Sequence, residues 1–130
     1  MGPAALAAIG LLSVAGCGLF GSTTPTSCPN AVVWSDADRY VGKRTTVRGQ
    51  VVGVHYATAG EGQPTFLDVG RAYPDPQRFT IVIWGRDRDN FPTAPEQAYR
   101  GHVVCVTGFL DTAMGSPGIE VASPASIAVQ

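Results

Sequence analysis

The stretch "GQPTFLDVGRAYPDPQRFTIVIWG", residues 62–85, decides how the rest of the chain is read. It holds two runs of strand-forming residues, 65–69 and 79–84, rich in Val, Ile, Phe and Thr. A linker with Arg71, Tyr73, Pro74, Pro76 and Arg78 joins them, and its prolines interrupt any regular element. Side chains alternate along a strand, so each run has two faces. In the first run Leu67 and Val69 point inward and Phe66 and Asp68 outward. In the second, Phe79, Ile81 and Ile83 share one face, and Thr80, Val82 and Trp84 share the other.

Upstream, residues 45–56 form a long strand broken by Gly49 and Gly53. Glycine inside a strand marks a bulge or a tight bend. A long first strand that coils to serve two sheets belongs to small barrels. With Val47 and Val51 inward, Arg48 and Gln50 face out. Before this strand, "SDADRYVG" is expected to be a short helix capped by Ser35 and ended by Gly42. Asp36 and Asp38 complement the dipole of its first turn, and Val33, Trp34, Ala37 and Tyr40 supply its buried side. Downstream, residues 85–100 lose the strand pattern and hold a short helix near 94–99, with Pro95 in its first turn. Strands follow at 102–110 and 118–122, with a short last one at 127–129.

Three strands, a helical connection and two strands is the order of the all-β, five-stranded Greek-key barrel called the OB-fold. The motifs "YVGK", "TFLDVG", "FTIVIWG", "VTG" and "SPASI" carry a further likeness. Through them residues 34–129 resemble bacterial OB-fold nucleic-acid-binding-like domains found on exported proteins. The resemblance implies the barrel and a binding role. It does not specify a ligand, because OB barrels host many.

The 130 residues suffice for one modest domain, and 10 Pro with 16 Gly suit short strands joined by many turns. A net charge of −1 removes the argument from a strongly basic chain, although a local basic stripe stays open. Residues 4–16, "AALAAIGLLSVAG", are too short to span a bilayer as a helix but long enough for a secretory signal core. "SVAGC" resembles a bacterial lipobox. The resemblance implies cleavage before Cys17 and diacylglyceryl attachment to its sulfur, although no Lys or Arg precedes the apolar run. The expected organisation is a signal peptide over 1–16, a lipidated Cys17 with a Gly/Ser/Thr/Pro-rich tether over 17–27, and an OB domain over 28–130. The protein would be anchored in the cell envelope, facing the periplasm or exterior. Two cysteines then remain, Cys28 and Cys105, and an oxidising compartment favours their pairing over two buried thiols. Cys105 points away from Val104 and Val106, so a bridge requires the segment around Cys28 to cross the outer face of that strand.

No residue set meets the minimum of nucleophile, base and orienting group, so a non-enzyme without cofactor or metal is expected. His55 and His102 lie at strand ends and read as solvated. Asp87, Arg88 and Asp89 read as a solvated, charge-alternating loop. Rings for stacking and cations for phosphates remain. Arg48, Gln50, Phe66, Thr80 and Trp84, rimmed by Arg71, Tyr73 and Arg78, would form a groove for single-stranded nucleic acid. Alternatively, Trp84 and Phe66 cover the barrel bottom or pack under the 85–100 connection, and the domain is an adaptor for an envelope protein or polysaccharide. A monomer is expected.

Overall fold

The computed structural model describes residues 28–113 and 115–130. Residues 1–27 lie outside them, and with them Cys17 and the proposed signal and tether. Among the described residues seven strands occur, in the order β1 (Val32–Val33), β2 (Arg44–Tyr56), β3 (Thr65–Val69), β4 (Phe79–Ile83), β5 (Val103–Ala113), β6 (Ser116–Glu120) and β7 (Ile127–Val129). A short helix, α1 (Pro95–Ala98), lies between β4 and β5 with Pro95 at its start. Neighbouring strands run β2-β3-β4-β6-β5, and β5 returns to β2 to close a five-stranded barrel. The β4–β6 pairing is parallel; the barrel's other pairings are antiparallel. This is the OB-fold arrangement, with β1 added beside β2 and β7 beside β5.

The inward faces are those set by alternation. Val47, Val51, Leu67, Val69, Phe79, Ile81 and Ile83 are all buried, joined by Val104, Val106, Leu110 and Ile119 from the second half. Strand β2 serves two neighbours. Residues 44–50 pair with β5; Val51 and then residues 53–56 pair with β3, with a register shift between Val51 and Gly53. The shift is a bulge, which lets one long strand turn the corner of the barrel.

Gly49 has a different reason to be glycine. A Cβ there would strike Val69 and the Trp34 indole, and a Cβ at Gly70 would strike the same ring. Gly70 also has φ +78°, a backbone region that glycine adopts without steric cost. Trp34 is thus seated across two bare backbones and packs, partly buried, against the core. It begins a 3₁₀ segment, Trp34–Tyr40, and not an α-helix capped by Ser35. The N-cap position is Val33, whose side chain accepts no hydrogen bond. Val33 is also not on the buried side: it sits on β1 and is 51% exposed.

Cys28 and Cys105 form a disulfide with a Cα–Cα distance of 6.2 Å. Val104 and Val106 face the core, and Cys105 lies on the opposite face of β5. The N-terminal segment therefore crosses the outside of β5, as alternation requires.

Arg88 departs from the solvated-loop expectation. Its guanidinium stacks 3.6 Å from the Tyr56 ring centroid and grips Glu96 of α1 with two bonds, Nη1 to Oε1 at 2.9 Å and Nη2 to Oε2 at 3.2 Å. Nη1 also donates to the buried Thr65 hydroxyl. Most of both side chains is covered, so solvent screens the pair only in part. The Arg88 hydrogen bond holds the Glu96 carboxyl below the usual carboxylate range, against the opposing effect of desolvation. A depressed carboxylate contributes stability above its unfolded pKa of about 4.3, lost as pH falls through the lower folded value. Glu96→Gln is expected to cost about 2 kcal/mol at neutral pH and less under acid. Urea midpoints at neutral and acid pH measure this; an equal cost at both would remove the ionic interpretation.

Candidate binding groove on the barrel wall

The bulge in β2 determines which side chains meet on the outside of the barrel. Strict alternation from Val51 would send His55 inward. The shift at Gly53 reverses the parity: Val54 packs on the core, and His55 turns out opposite Phe66. Register then lines up His55, Phe66, Val82 and Glu120 across β2, β3, β4 and β6. The next row is Gly53, Asp68, Thr80 and Gly118.

The linker between β3 and β4 folds back over these rows. The Tyr73 amide donates to Asp68 Oδ2 at 3.0 Å. Arg78 Nε lies 3.8 Å from Asp68 Oδ1, and its guanidinium is 5.0 Å from the Tyr73 ring centroid. Arg78 Nη1 donates to the Asp75 carbonyl at 2.9 Å, and the Asp75 carboxylate accepts from the Gln77 amide at 2.8 Å. These contacts hold the linker against the wall. Between linker and sheet lies a concavity of about 370 Å³ lined by His55, Phe66, Asp68, Tyr73, Arg78 and Thr80. Thr80 is at its floor, and its hydroxyl shares a 2.8 Å hydrogen bond with Ser116.

Four of the eight residues expected to form one groove do so: Phe66, Tyr73, Arg78 and Thr80. The others lie elsewhere. Arg48 and Gln50 are on the β5-paired half of β2, where Arg48 Nε donates to Gln130 Oε1 at 3.1 Å and Gln50 Nε2 to the Gly101 carbonyl at 3.1 Å. Alternation assigned their side of the strand correctly, but the barrel turns between them and Phe66. Arg71 pairs with Asp75 at 3.3 Å and lines a separate hollow with Trp34, Ser35, Asp38 and Gln77. Trp84 is half-buried beside Gly62, and its Nε1 donates to Glu120 Oε1 at 2.7 Å. Arg78 is also no solvated linker cation, because only 4% of it is exposed. Its burial follows from Asp68 beneath it and Tyr73 beside it.

Sequence reasoning read His55 as a solvated strand-end residue and set Asp68 outward, but assigned neither to the groove. The parity flip at Gly53 was the signal for His55. For Asp68 the signal was an outward carboxylate in the middle of a strand, a position where Asp is disfavoured. Among the described residues no group of three or more His, Cys, Asp or Glu is placed to hold a metal ion.

No protein-family model matches the chain. No curated protein matches it in sequence. Similar solved structures include an asparaginyl-tRNA synthetase from Pyrococcus horikoshii, 17% identical with a TM-score of 0.48 over 76% of this chain and 22% of the synthetase. An aspartyl tRNA synthetase from Entamoeba histolytica is 17% identical, with a TM-score of 0.44 over 70% of this chain and 19% of that one. An OBody bound to hen egg-white lysozyme is 15% identical, with a TM-score of 0.49 over 81% of this chain and 98% of the OBody. The chain thus spans about a fifth of the length of these synthetases. Its assignment to the OB-fold rests on its own strand order, parallel β4–β6 pairing and closure through β2 and β5.

Proposed function

We propose that this chain is a non-catalytic OB-fold module that binds single-stranded nucleic acid in the groove over β2, β3 and β4. The observation that carries this reading is the clustering of His55, Phe66 and Tyr73 around one concavity on the outer wall of the barrel. Rings on an OB wall offer a stacking surface to any base. Tyr73 is 73% exposed, so its ring is accessible to a ligand.

The electrostatics make the binding weak. Arg78 faces Asp68 and Tyr73 inside the wall, and Arg48 lies on the other half of β2. Arg71 is the exposed cation nearest the groove in sequence, with 54% of its side chain open. A ligand strand therefore meets one or two cations, and the slope of log K against log salt is expected near −1, at about −0.7 per phosphate for single strands. Anisotropy titration of a labelled oligonucleotide at several salt concentrations measures it. Tyr73→Ala should weaken binding by about 1–3 kcal/mol while leaving the fold intact. Absence of any salt-sensitive binding at low ionic strength would end this reading. The same sparse cation row favours the second reading, an adaptor whose groove takes an envelope protein or polysaccharide.

We also propose that the module is exported and anchored through Cys17. The Cys28–Cys105 disulfide supports an oxidising compartment. Mass spectrometry of membrane-extracted protein should find diacylglyceryl-Cys17 as the first residue. Soluble protein with an intact Met1 would count against the anchor.

A further inference from the structure

We infer that Asp68 makes the groove selective for guanine among the bases. This rests on the single-strand reading above and adds the identity of the preferred base. Asp68 lines the concavity beside Phe66 and Tyr73, in the register row next to the one that carries His55. An ionised carboxylate is a pure acceptor with about four lone-pair sites. In Asp68, Oδ2 takes one hydrogen bond from the Tyr73 amide. Among the described residues, Oδ1 has the Arg78 ion pair at 3.8 Å, beyond hydrogen-bond distance. Both oxygens thus keep acceptor capacity, and Asp68 is among the residues that line the concavity.

Asp68 is largely covered, and Gly53 leaves the narrow approach to its carboxylate from the β2 side unfilled. This glycine is the register partner of Asp68, and a Cβ at Gly53 would already come within 3.2 Å of Oδ2. A side chain longer than a methyl group would cover the oxygen.

The complementary edge of a flat ligand must present two adjacent N–H donors. Guanine does so with N1–H and the N2 amino group. Hypoxanthine keeps N1–H but lacks the amino group, and thymine offers only N3–H. Adenine and cytosine place a ring acceptor beside their amino group, which opposes one carboxylate oxygen. The concavity of about 370 Å³ is large enough for a purine, and the Phe66 and Tyr73 rings supply apolar surface around it. No phosphate contact enters this selection, so it survives the near-neutral charge of the groove.

The test uses the full chain and three labelled nine-mers, each with four thymidines on either side of a central guanine, hypoxanthine or thymine. The expected result is about tenfold tighter binding of the guanine oligonucleotide than of the other two, within the range for bidentate base contacts. Asp68→Asn should abolish the preference, bringing the ratio of guanine to thymine affinity to about one. If that variant unfolds because Arg78 loses its partner, the guanine–hypoxanthine comparison on the wild-type protein still decides. Equal binding of all three oligonucleotides overturns the guanine inference and leaves the single-strand reading standing. Binding of none, with an arginine-bearing peptide bound instead, overturns both, since guanidinium offers the same pair of donors.

Discussion

Cys28→Ser is expected to lower the free energy of unfolding by about 4 kcal/mol. The bridge spans 77 residues of sequence, and a closed loop of that size removes much of the conformational freedom of the unfolded chain. Domains of this size are stable by only about 5–15 kcal/mol, so the loss is a large share of the total. Cys28 is the better position to change. Cys105 is buried between strands, where substitution would also disturb packing, whereas Cys28 is half-buried at the start of the described chain. Urea denaturation of the variant beside the wild type, with and without reductant, measures the effect. Reduction should shift the wild-type midpoint to that of the variant and leave the variant unmoved. A wild-type midpoint indifferent to reductant would show that the bridge does not form or does not contribute.

Arg78→Ala should be nearly as costly, at about 3–5 kcal/mol, because it leaves the Asp68 carboxylate without its cation in a covered site. The same change removes the bond to the Asp75 carbonyl and the stack on Tyr73. The linker would keep the Tyr73 amide bond to Asp68 but lose the arginine beside it, which loosens one wall of the groove. Tyr73→Ala is the control. That ring is 73% exposed, so its removal should cost no more than about 0.5–1 kcal/mol of stability. Thermal and urea unfolding of the two variants should therefore separate them clearly. An Arg78→Ala protein within about 1 kcal/mol of wild type would mean that the arginine is solvated after all. Binding measurements on this variant are meaningful only where circular dichroism shows it folded.

The two results bear on how the groove is read. An arginine in a Pro- and Asp-rich linker has the composition of a solvated loop, and nothing local distinguishes it from Arg71, four residues from the same Asp75. The difference is the carboxylate below it. Asp68 and Arg78 are ten positions apart and meet only because β3 and β4 pair with Asp68 opposite Thr80. Arg88 repeats the lesson. Its neighbours Asp87 and Asp89 suggest a charge-alternating surface, yet its partners are Tyr56, Thr65 and Glu96, drawn from β2, β3 and α1.

Sequence alone determined the five barrel strands, their order and their inward faces up to the bulge in β2; β1, the reach of β5 to Ala113 and the start of β6 at Ser116 came from the structure. Period-two alternation of branched and aromatic residues is a local property, and burying it leaves few closed arrangements for five strands with one helical break. It also determined that Cys105 points away from the core, and hence where the N-terminal segment must cross. Tertiary structure alone decided which outward residues share a surface. One extra residue at the bulge near Gly53 reverses every side chain beyond it, bringing His55 to Phe66 while the turn of the barrel carries Arg48 and Gln50 away. Burial of the charged pairs was decided at the same level, because it depends on which strands become neighbours and on the low dielectric created once they close.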